Sequence, residues 1–136
     1  MWEMKKSRVI SFLLCCIIFN LLISCAGSEI RKAARSEFDS GLSLFDSARY
    51  EESIPHFEQA IRLVPDFWEA HMFLGRAYLN LKKWHEALPP LKTAFRLEPQ
   101  ESQRKSAGII MDIFFKNTSK IDQDTQSEFM ELLKLK

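Results

Sequence analysis

Three histidines, three cysteines and one short acidic segment are the residues of this 136-residue chain that could do chemistry. His56, His71 and His85 each lack a second histidine three to five positions away, the spacing that lets one helix face offer two imidazoles to zinc. Asp122 and Asp124 match two early ligands of a calcium loop, but its glycine and closing glutamate are missing. A hydrated helix start is the reading there. Cys15, Cys16 and Cys25 all fall within the first 25 residues, so the rest of the chain has no disulfide framework, cysteine metal site or thiol nucleophile. No glycine-rich phosphate loop and no G-x-S-x-G step occurs either. The expectation is a protein that is not an enzyme, with no metal and no cofactor.

Cys25 alone has a distinctive setting. Lys5, Lys6 and Arg8 precede VISFLLCCIIFNLLI, an apolar run of 15 residues broken by Ser11 and Asn20. A bilayer-spanning helix needs roughly 20 such residues, and shorter runs mark the hydrophobic part of a signal peptide. The run ends in Leu22-Ile23-Ser24-Cys25-Ala26. This resembles the lipobox of bacterial lipoproteins, although Ile23 departs from the residue favoured at its position. The resemblance implies a bacterial chain cut after residue 24 and lipidated at Cys25. Such a protein sits in the cell envelope, facing away from the cytoplasm, and Ala26 in place of aspartate implies sorting to the outer membrane. An uncleaved N-terminal anchor, or an ordinary signal peptide cut nearby, uses the same run. Acyl chains contribute about 0.8 kcal/mol per buried methylene, so two or three of them hold a domain on a membrane. Cleavage removes three bases and one acid, taking the net charge from +1 to −1. Asn117-Thr118-Ser119 has the form of a glycan acceptor, which carries no weight in a bacterial chain.

The elements that follow are built for packing. Apolar content of 46% with 27% charged residues describes an ordinary globular core, and the near-zero charge gives no field for nucleic acid. An offset of 34 places Gly41 on Gly75, Ala60 on Ala94 and Pro65 on Pro99, and sets FEQAIRLVP over LKTAFRLEP. A period of this length marks stacked helical hairpins. Apolar residues three and four apart predict helices over 28–46, 50–63, 67–81, 84–97, 102–117 and about 122–135. Pro55 and Pro89-Pro90 fall near the starts of the second and fourth helices.

These residues resemble the tetratricopeptide repeat family: a small residue where helix A meets helix B (Gly41, Gly75), alanines at close contacts (Ala60, Ala87, Ala94), and an exit proline (Pro65, Pro99). The first copy departs from the pattern at Glu37, Ser40 and Ser53. The fold class implied is all-α, a short α-α superhelix of two hairpins plus a degenerate capping helix pair. The organisation expected is a signal peptide over 1–24, a tether or helix extension over 25–33, repeats over 34–67 and 68–101, and a cap over 102–136.

In that family the A helices line a concave groove for a peptide or helix. Carried onto this chain, the groove comprises Phe38, Leu42 and Phe45, flanked by Arg35 and Asp46. It continues through Met72, Arg76, Leu79 and Asn80, beside Glu69, and ends at Ile110, Ile113 and Phe114. Phe38, Leu42 and Met72 stand where the carboxylate-gripping branch has lysines and asparagines, so that clamp is absent. The same apolar residues read equally as plain core. The function implied is a membrane-tethered adaptor in envelope assembly or secretion, with a protein or peptide partner and no nucleic acid. The alternative is a self-associating structural protein, a homo-oligomer.

Overall fold

The computed structural model describes residues 27–97 and 100–134, except the side chains of residues 100–105, 118, 133 and 134. Cys25, the apolar run before it and Pro99 lie outside the described residues. Six α-helices are present among those described: α1 (27–46), α2 (Tyr50–Leu63), α3 (Trp68–Asn80), α4 (Trp84–Leu97), α5 (Gln100–Asn117) and α6 (Gln123–Lys134). A 3-10 turn, Thr118–Lys120, joins the last two. The architecture is the all-α stack of helical hairpins that the period of 34 implies.

The two A-to-B turns are copies of each other. Ala48 and Lys82, 34 positions apart, both take a left-handed backbone, with φ of 58° and 62°. The Arg49 amide donates to the Leu44 carbonyl and the Lys83 amide to the Tyr78 carbonyl, each at 2.9 Å. This closure satisfies carbonyls that a helix end leaves unpaired. Helix α2 ends because Val64 precedes Pro65: the proline ring pushes its neighbour out of helical space, and Val64 sits at φ −136°, ψ 91°. Pro55, Pro89 and Pro90 lie inside their helices, beyond the first turn where proline fits without loss. The carbonyls they leave unpaired belong to Glu51, His85 and Glu86, all exposed, so water can satisfy them.

The core is two clusters. One packs Phe38, Phe45, Phe57, Ala60, Ala70, Leu74 and Ala77 between α1, α2 and α3. The other joins α3 and α4 to the cap through Met72, Leu79, Trp84, Leu88, Leu91, Ile110, Phe114, Phe129 and Leu132. Tyr78 touches both. Burial raises its phenol pKa, and Glu58 and Glu86 raise it further. The glycines set how closely the pairs approach. A Cβ on Gly75 would fall 2.5 Å from Leu91 Cγ, and one on Gly41 2.8 Å from Phe57 Cε1.

Candidate functional site

Every histidine has a partner within the fold. His56 Nδ1 is 2.9 Å from Glu37 Oε2, tying α2 to α1. His71 Nε2 is 3.0 Å from the Pro65 carbonyl oxygen. His85 meets Asp122 Oδ2 at 3.3 Å, and the Thr125 hydroxyl lies 3.1 Å from the same nitrogen. Hydroxyl, imidazole and carboxylate therefore come together, but the Thr125 hydroxyl straddles the ring, 3.1 Å from Nε2 and 3.2 Å from Nδ1, instead of ending a relay through it. Thr125 is also fully buried, beyond a substrate's reach. Asp122 Oδ1 accepts the Thr125 amide at 2.9 Å, which caps α6, and that bond holds its carboxyl below the usual range. The cluster is a clasp between α4 and α6. Lys92 Nζ to Glu128 Oε2, at 2.8 Å, is a second tie between those helices. No group of three metal-ligating side chains occurs among the described residues.

The residues expected in a groove divide into a floor and a rim. Phe38, Phe45, Met72, Leu79 and Ile110 are buried in the two clusters, so their side chains are core that partners do not reach. Leu42, Arg76 and Ile113 are half-buried, and Asn80 is exposed. Along α1 and α3 the accessible rim is Arg35, Leu42 and Asp46 on one helix and Glu69, Arg76 and Asn80 on the other. It is therefore far more polar than the apolar lining expected from sequence. The cause is that Phe38 and Phe45 rotate inward against Phe73 of α3, with ring centroids 5.6 and 5.3 Å apart. Phe73 was not among the residues anticipated here, because it lies one position beyond Met72 and off the apolar stripe.

Two guanidinium groups sit on this aromatic floor. Arg35 lies 5.1 Å from the Phe38 ring centroid and pairs with Asp39 at 3.2 Å. Arg76 lies 4.7 Å from Phe73 and 5.1 Å from Phe45. Stacking of this kind contributes about 0.5–2 kcal/mol, more as water is removed. The Arg76 Nε is buried and has no hydrogen-bond partner. Burial pushes the Arg76 pKa down, and the negative charge of Asp46 opposes that shift. A half-buried arginine held over two rings, its Nε without a partner, is preorganised to meet a partner's acceptor with the rest of its guanidinium.

Among the described residues no helix is long and apolar enough to cross a membrane. Residues 38–102 match the family described as Tetratricopeptide repeat. Sixty residues, 44% of this chain, are 37% identical to a stretch of Protein O-mannosyl-transferase Tmtc3 of Drosophila melanogaster. That stretch covers only 6% of the fly protein's length, so the transferase activity in its name is said of that protein as a whole. The glycine-spaced hairpins, the shared turn geometry and this match agree on a tetratricopeptide-like stack over residues 38–102, a kind of repeat that in general supports protein–protein interaction.

Proposed function

We propose that this protein is a membrane-tethered, non-catalytic adaptor that holds a protein partner across the α1–α3 face. The observation that carries the reading is Arg76: a half-buried cation on Phe45 and Phe73 whose Nε has no hydrogen-bond partner. With Leu42 and Asn80 beside it, the face suits an extended segment or helix offering one carboxylate or carbonyl to Arg76 and an apolar side chain to Leu42. A site this small supports affinity on the order of micromolar. Lipid on Cys25 supplies the tether in this reading. The cell envelope is its location, and envelope assembly or secretion its setting.

Photo-crosslinking from position 42 in intact cells tests the face, with position 86 on α4 as control. The reading predicts partner adducts from position 42 that Arg76→Glu abolishes while the protein stays folded. Adducts of equal yield from both positions would overturn it. The tether has its own test. Cys25→Ser should abolish acyl labelling and release the protein from the membrane fraction, whereas retention without lipid would show an uncleaved anchor.

A further inference from the structure

Helix α1 is longer than the hairpin it opens. Ala34, Phe38, Gly41 and Phe45 form its buried stripe, whereas every residue from 27 to 33 is exposed. Ile30 stands one turn before Ala34, so it continues that stripe past the point where packing ends. It is 45% exposed. Of the five exposed large apolar side chains among the described residues, it alone lies outside α5 and α6. A Cβ on Gly27, one turn earlier, would meet nothing within 4 Å. The first two turns therefore carry the core-facing side of α1 out beyond the rest of the stack.

These turns are also cationic. Residues 27–36 hold Arg31, Lys32 and Arg35 against one acid, Glu29. Arg31 and Lys32 are exposed, and among the described residues neither has an ion-pair partner.

The chain itself fixes what lies within their reach. In the tether reading Cys25 carries acyl chains, and only Ala26 separates it from residue 27, where α1 is already helical. Two links at full stretch and one helical turn put Ile30 no more than roughly 12 Å from Cys25. Headgroups extend roughly 5–8 Å beyond the hydrocarbon on each side of a bilayer. The opening turns of α1 thus sit at the lipid surface. An apolar side chain flanked by free cations suits that depth. Arg31 and Lys32 lie within about a Debye length, 8 Å at physiological salt, of an anionic headgroup layer there.

We propose that the first two turns of α1 form a second membrane contact, in which Ile30 enters the lipid boundary and Arg31 and Lys32 meet anionic headgroups. The contact rests on the reading that Cys25 is lipidated. It holds the stack at the bilayer surface and fixes which end of α1 faces the lipid. One apolar side chain and two cations are too few to replace the acyl chains, so release of Cys25→Ser is still expected.

The test uses the full acylated chain in vesicles of phosphatidylcholine and phosphatidylglycerol with brominated acyl chains. A polarity-sensitive fluorophore is attached at Ile30→Cys or, as control, at Ser40→Cys on the outer side of α1. Each is the sole free thiol once residues 1–24 are removed and Cys25 is acylated. Quenching should be at least about twofold at position 30 and negligible at position 40. Arg31→Glu with Lys32→Glu should bring position 30 down to the level of position 40 with melting temperature unchanged, since both side chains are exposed. Vesicles of phosphatidylcholine alone should do the same. Acyl mass on Cys25 without quenching at position 30 would overturn this contact and leave the tether standing. Equal quenching at both positions, or quenching untouched by the charge reversal, would also overturn it. A chain with no acyl mass on Cys25 would overturn the tether reading and this contact together.

Discussion

The first and second hairpins share a backbone but not an environment, and their equivalent positions show what each environment selects. Ser40 and Leu74 occupy the same place in the repeat. Leu74 is 8% exposed, because α3 has helices on both sides, and it belongs to the first apolar cluster. Ser40 faces solvent, and its hydroxyl donates to the Ser36 carbonyl at 3.0 Å. Glu37 and His71 differ in the same way: Glu37 reaches back to His56 of its own hairpin, whereas His71 reaches the Pro65 carbonyl of the preceding connection. The first copy's departures from the repeat pattern are those of an end unit, whose outer face must be solvated. Its inner face is kept: Phe57 and Leu91 hold the same position and both are fully buried.

This comparison is most exposed to a reciprocal pair of substitutions. Leu74→Ser should cost about 2–4 kcal/mol in denaturant unfolding, from lost burial and an unsatisfied hydroxyl. Ser40→Leu should stay within about 0.5 kcal/mol, as surface changes do. Equal costs would mean that α1 is covered. Next come the two glycines at the helix crossings. Alanine at either forces the partner aside, for about 1–3 kcal/mol. Gly75→Ala should be the worse, because its Cβ would meet Leu91 Cγ at 2.5 Å and also the Ala87 carbonyl at 3.3 Å. A smaller and opposite effect belongs to the turns. Ala48→Gly and Lys82→Gly should each raise stability by up to about 1 kcal/mol, equally, since both relieve the same left-handed backbone.

The smallest effect is pH-dependent and belongs to the cap. Asp122 is held below its ordinary pKa by the Thr125 amide, so the folded state binds fewer protons than the unfolded chain just below the usual aspartate range. Its contribution is complete above that range and disappears as pH falls through the depressed value. Melting temperature followed from pH 6 downward should therefore lose part of its acid slope in Asp122→Asn.

Much of the frame was legible in the residues because two copies check each other. Tyr50 and Trp84 open helices that end at Leu63 and Leu97, and the exit proline fixes where α2 must stop. The A-to-B turns were not legible in detail: alanine and lysine carry no sign of a left-handed backbone, which glycine would have announced. Nor was the character of the groove. Whether Phe38 and Phe45 line a surface or fill a core depends on Phe73 of α3 and on Phe67 just before it, which approach at no fixed spacing. Partnerships such as Glu37 with His56, or His85 with Asp122, are likewise set by helix packing and not by local pattern.

Central to all of this is a stack whose middle hairpin is covered on both sides and whose ends are each covered on one. Native-state amide exchange measures that directly, residue by residue. The slowest amides should lie in α3 and α4, with α1 and α6 opening at lower free energy. Amides of α1 or α6 protected as strongly as those of α3 would contradict the account.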